Sequence, residues 1–111
     1  METDEGIWVR VMKADALHNG SMAAVFPKGL PVLLVRGADG ETHALANKCP
    51  HMGCPLARGR LDGNILQCPC HDWRFDIRTG AFLDAPEISL PRYEWKIADG
   101  DVHIKLTKAV L

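Results

Sequence analysis

Two short stretches, Cys49-Pro50-His51-Met52-Gly53-Cys54-Pro55-Leu56 and Cys68-Pro69-Cys70-His71-Asp72-Trp73, hold all four cysteines of the chain and two of its five histidines. Pro50, Gly53, Pro55, Gly59 and Pro69 crowd the same region, and such residues favour turns over ladder positions. The sequence therefore places these side chains on two loops between strands. In a short secreted chain four cysteines would read as two disulfides. The alternation with histidine points to metal instead, because thiolate and neutral imidazole are both good ligands. Two pairs stand out, Cys49 with His51 and Cys68 with His71, separated by residues 52–67. Two Cys and two His also suit a closed tetrahedral zinc site. Zinc fingers usually carry the second pair on a helix, however, and His71 lies in no helical pattern.

Outward from the loops, the chain reads as strands and turns. Ile7, Val9 and Val11 alternate with Trp8, Arg10 and Met12; residues 30–35 are a continuous apolar run, as a strand buried on both faces would be. Ala38-Asp39-Gly40 is a turn signal, and residues 42–46 supply a returning strand. A shorter hairpin turns at Asp62-Gly63-Asn64 and leads through Ile65 and Leu66 into Cys68. The clearest hairpin is the last: Tyr93, Trp95 and Ile97 alternate with polar residues, Asp99-Gly100 turns, and Val102, Ile104 and Leu106 alternate in return. Only residues 12–17 carry a weak helical stripe. The expectation is a small antiparallel β-domain, a sandwich or barrel.

Composition fits one domain. The chain has 111 residues, 47% hydrophobic and 24% charged, with a formal net charge of −1 and no basic stripe, which argues against a nucleic-acid partner. The first ten residues, METDEGIWVR, are acidic where an export signal needs basic residues, and the longest apolar run is far too short to span a bilayer. A cytoplasmic chain with no membrane span is the expectation.

Cys49-x-His51, a gap, then Cys68-x-x-His71 resembles the Rieske [2Fe–2S] motif. Residues 44–48 are similar to that family's entering strand, Phe75-Asp76-Ile77-Arg78-Thr79-Gly80 to its exit strand and turn, and the hairpin at Asp99-Gly100 to its last one. The likeness runs over about residues 30–106. It implies an all-β antiparallel sandwich or barrel with a small cluster-binding subdomain of two loops, about residues 47–59 and 67–75, in a single domain over residues 1–111. It further implies one [2Fe–2S] cluster, with Cys49 and Cys68 on one iron and His51 and His71 on the other. Neutral imidazoles in place of two thiolates reduce the negative charge at the site. The added electron is then better tolerated, and the potential rises into a range of roughly −150 to +300 mV.

The resemblance also suggests a role for Cys54 and Cys70. In the Rieske proteins of respiratory complexes, cysteines so placed form a disulfide between the loops, which implies a Cys54–Cys70 bond here. Those proteins follow the second His with Gly, then Ser and, two places on, Tyr, whose hydroxyls raise the potential; here Asp72, Trp73 and Phe75 stand instead. In this respect the chain is closer to the ferredoxins of bacterial ring-hydroxylating oxygenases.

Met52, Pro55, Leu56 and Trp73 read either as a hydrophobic cap or as packing beneath the loops. Arg58, Arg60, Arg74 and Arg78 read as solvated surface before acidic-partner recognition, Trp8 and Trp95 as core, and His18, His43 and His103 as structural. Beside His71, Asp72 reads as a turn residue. No nucleotide-binding glycine fingerprint is present. The expectation is a ferredoxin, an electron carrier rather than an enzyme, taking single electrons from a flavoprotein or other reductase to a terminal oxygenase or other redox enzyme. The competing readings are the small Rieske subunit of a nitrite reductase-like or respiratory complex and a structural zinc-binding module.

Overall fold

Strands paired throughout in antiparallel fashion form three sheets in the computed structural model, which describes residues 6–51 and 53–106. In chain order they are β1 (Ile7–Lys13), β2 (Ser21–Val25), β3 (Val32–Arg36), β4 (Thr42–Ala46), β5 (Arg60–Asp62), β6 (Ile65–Gln67), β7 (Arg74–Asp76), β8 (Ala81–Phe82), β9 (Ala85–Ser89), β10 (Trp95–Ala98) and β11 (Asp101–Leu106). The sheets have the orders β1-β11-β10, β2-β3-β4 and β5-β6-β7-β8-β9. Among the described residues there is no α-helix, and no helix is long and apolar enough to cross a membrane. The weak helical stripe at residues 12–17 becomes one 3-10 turn, Ala14–Ala16.

The apolar run in β3 is continuous because both of its faces are covered. Leu33 and Val35 belong to one hydrophobic cluster with Leu45, Leu56, Leu66, Phe75, Phe82, Cys49 and Cys68. Val32 and Leu34 belong to another with Ala44, Val102, Ile104 and Leu106. The β2-β3-β4 sheet is thus the middle layer, with β1-β11-β10 on one side and the five-stranded sheet on the other. Each of these fully buried aliphatic side chains contributes about 1.5–3 kcal/mol. The cluster next to the five-stranded sheet includes Cys49 and Cys68.

The Asp99-Gly100 hairpin forms as read. Both residues have positive φ, 55° and 80°, as a two-residue type I′ turn needs, and Ala98 pairs with Asp101 across it. Asp62 pairs with Ile65 around Gly63, whose φ is 62°. The expectation that Trp8 and Trp95 are core residues is not met: they are 39% and 36% exposed. Trp8 stands opposite Lys105 on the outward face of its sheet and is covered by the Lys96 ammonium, 4.4 Å from the ring centroid. Trp95 does face inward, opposite buried Ile104, but on an edge strand that overhangs the core.

Candidate functional site

The first loop leaves β4 and reaches β5; the second joins β6 to β7. Both close in the same way. The Cys49 N–H donates to the Cys54 carbonyl at 2.9 Å, and the Gly53 N–H donates back to the Cys49 carbonyl at 2.7 Å. In the second loop the Cys68 N–H donates to the Trp73 carbonyl at 2.7 Å, and the Asp72 N–H to the Cys68 carbonyl at 3.2 Å. Gly53 and Asp72 occupy the same place in this repeat, and both have positive φ, 77° and 60°. Asp72 is therefore a turn residue, tolerated there because aspartate visits the left-handed region more readily than most side chains.

Two contacts set the loops against the frame. The buried Asn47 side-chain carbonyl accepts the Ala57 N–H at 2.9 Å and ties the ends of the first loop together. Gly59 lies so close to β6 that a Cβ there would sit 1.9 Å from the Gln67 carbonyl oxygen. The Cys54–Cys70 disulfide joins the loops.

Each Cys/His pair is split by depth. Cys49 and Cys68 are 1% exposed, while His51 and His71 are exposed, their ring centroids 4.9 Å apart. Neither Cys49 nor Cys68 takes part in the disulfide. The His51 ring stacks on Trp73 at 4.5 Å, and Trp73 stacks in turn on Phe82 at 4.0 Å, so one imidazole rests on an aromatic column rooted in the core. The grouping of metal-ligating atoms within 4.8 Å of one another comprises Cys54, Cys68 and Cys70, two of which are already bonded to each other. Among the described residues, Cys49, His51, Cys68 and His71 form no comparably tight group.

Of the apolar residues beside the loops, Leu56 is fully buried and packs in the core, Trp73 is half-buried, Pro55 is exposed, and Met52 lies outside the described residues. Behind the second loop, Asp76 accepts from the Arg78 Nε and its terminal amine at 3.1 and 3.0 Å, bracing the turn into β8. That hydrogen-bonded guanidinium holds the Asp76 carboxyl below its ordinary range, against the opposing effect of burial. His43 pairs with Val35 across β3 and β4, away from the ligand loops; His18 and His103 lie outside them as well.

Residues 7–94 match the Rieske [2Fe-2S] domain. The chain belongs to the Rieske [2Fe–2S] family. This Rieske chain is 41% identical over 96 residues to apoptosis-inducing factor 3 of Homo sapiens, covering 86% of its own length and 16% of that protein. It thus spans about a sixth of that relative. It is 31% identical over 101 residues to the ferredoxin component of the naphthalene 1,2-dioxygenase system of Pseudomonas putida, with 90% and 96% covered. The solved structure titled as a putative NADH-dependent nitrite reductase small subunit from Mycobacterium tuberculosis superposes with a TM-score of 0.82 at 27% identity, with 94% and 98% covered.

Asn47 and Gly59 mark the two ends of the expected first loop, 47–59, while the part of Phe82, which stacks under Trp73, has no signal in the local sequence. In the sequence Gly59 reads as a loop former; what decides its role is the approach of β6, which local sequence does not encode.

Proposed function

We propose that this Rieske domain, a single unit over the chain, is a one-electron carrier whose [2Fe–2S] cluster is held by Cys49 and Cys68 on the inner iron and His51 and His71 on the outer. The observation that carries the reading is the split by depth: two buried thiols beneath two exposed imidazoles 4.9 Å apart. When bound, the cluster supplies a site that takes up and releases one electron. The chain's own residues do the rest. Cys49 and Cys68 sit in the apolar cluster and keep water from the inner side, the disulfide and Asn47 fix the spacing of the loops, and Trp73 holds the plane of His51.

The exposed imidazole edges are the exit point for the electron. The donor is a flavoprotein or other reductase and the acceptor a terminal oxygenase or other redox enzyme, in the cytoplasm. The likeness to an oxygenase ferredoxin component over 96% of its length supports this assignment. A second reading, the small subunit of a nitrite reductase-like enzyme, is favoured by the equally complete likeness to a solved protein of that title.

Anaerobic reconstitution followed by iron and sulfide assay tests the ligand set. Two irons and two sulfides per chain are expected, with a lower potential or loss of the cluster in His71→Cys. Zinc as the bound metal, or an unaltered spectrum and potential in His71→Cys, would refute the assignment.

A further inference from the structure

The outward face of the five-stranded sheet carries a row of side chains that the electron-carrier reading leaves unused. Arg60 stands opposite Gln67, and Gln67 opposite Arg74, on β5, β6 and β7. Directly opposed side chains on antiparallel strands have Cβ atoms about 4.5–5.5 Å apart, so the two arginines are roughly 10 Å apart with an amide between them. With Asp62 and Ile65 the row lines a depression of about 200 Å³.

Of the chain's other five arginines four are engaged, and the fifth, Arg58, sits on the 3-10 turn before β5, outside the row. Arg10 pairs with Asp101, Arg36 donates to the Leu17 carbonyl, Arg78 holds Asp76, and Arg92 donates to the Arg78 carbonyl. Among the described residues no hydrogen bond or ion pair engages the guanidinium of Arg60 or of Arg74. Asp76, in the next row of β7, is occupied by Arg78, so the carboxylate left within the depression is that of Asp62. The lining is therefore net positive, although the whole chain is not.

Position gives the row its meaning. Gln67 immediately precedes Cys68, Arg74 immediately follows Trp73, and the Trp73 carbonyl closes the second ligand loop. The row is the last register before the ligands.

We propose that Arg60, Gln67 and Arg74 dock an acidic, extended segment of the partner protein that exchanges electrons with the site. This rests on the carrier reading above. Position selects a protein segment over a free anion, because the row borders the loop through which a partner protein would exchange electrons. Two carboxylates at alternate positions of an extended chain lie roughly 6.6 Å apart at Cα, and their side chains close the remaining gap. Guanidinium meets carboxylate bidentately, and the Gln67 amide is placed to bond the backbone between them.

The test titrates the full, cluster-loaded chain with a blocked peptide of alternating Glu and Ser by calorimetry at low salt. Inorganic phosphate and an alternating Lys-Ser peptide serve as comparison probes. Arg60→Gln with Arg74→Gln should weaken the Glu-Ser peptide on the order of ten-fold, while Lys13→Gln with Lys28→Gln, which removes the same two charges elsewhere, leaves it unchanged. Circular dichroism checks that the variants fold. Unaltered binding in the arginine double variant, equal weakening by Lys13→Gln with Lys28→Gln, or phosphate binding as tightly as the peptide would each overturn the docking row. The peptide measurement does not require the cluster. A chain that discriminates the peptide yet holds zinc would refute the carrier reading alone, and a Rieske centre without discrimination would refute the row alone.

Discussion

Gly59→Ala should be the most damaging single-methyl change in the site. The added Cβ would lie 1.9 Å from the Gln67 carbonyl oxygen and 3.2 Å from that of Leu56. Ordinary contact begins near 3.4 Å, so β5 and β6 would have to part by about 1.5 Å at this point, and the atom in the way is backbone that no rotamer can remove. Overpacking of this kind costs typically 1–3 kcal/mol, and a clash with backbone belongs at the upper end. At about 4 °C per kcal/mol for a domain of this size, about 3 kcal/mol lowers Tm by about 12 °C. The displacement falls between the two ligand loops, so cluster absorbance should be lost below the global unfolding temperature. Gly63→Ala is the control: its φ is 62°, but nothing lies within 4 Å of its Cβ. Backbone strain alone there costs about 1–2 kcal/mol, with the spectrum kept. The assay is thermal unfolding by circular dichroism beside the visible absorbance. A Gly59→Ala protein that unfolds within about 4 °C of the parent with its spectrum intact would show that the loops are not set by this approach.

Replacing Cys54 and Cys70 together by Ser removes a link across a sequence separation of 16, worth about 3 kcal/mol by chain entropy; the loss should be largest in the cluster-free chain, where nothing else ties the loops, and is read from denaturant unfolding of both forms. Asp72→Gly relieves a left-handed residue, φ 60°, and should raise stability by about 0.5–1 kcal/mol, measured as an increase in Tm. The Asp76 carboxyl is held below its unfolded value by Arg78, so the stability it contributes is present above the unfolded pKa of about 3.9 and is lost as pH falls through the folded value. Asp76→Asn should therefore lower Tm slightly at neutral pH, the exposure of Arg78 keeping the effect small, and should narrow its deficit below about pH 4.

Much of the frame was legible because its signals are local. Asp99-Gly100 can turn in few ways, and the uniform apolar run of β3 could only be a strand covered on both faces. The ligand spacing and the Cys54–Cys70 pairing were legible through family resemblance, and the structure forms that disulfide. What failed to show was non-local. Alternation in β1 marks two faces without saying which is covered, and so misplaces Trp8; alternation in β10 does not show that the strand is an edge, which leaves the inward-facing Trp95 part-exposed. Strand β9, Ala-Pro-Glu-Ile-Ser, holds a proline that an edge strand tolerates, and nothing local announced it. The Arg60-Gln67-Arg74 row exists only once three strands are in register. As separate residues they read as ordinary surface.

The most direct test of the ligand assignment is low-temperature electron paramagnetic resonance of the purified chain reduced with dithionite. A rhombic two-iron signal of mixed thiolate and imidazole ligation, with a midpoint potential inside roughly −150 to +300 mV, is the expected result. A colourless, silent chain that carries zinc even after anaerobic iron and sulfide reconstitution would contradict it.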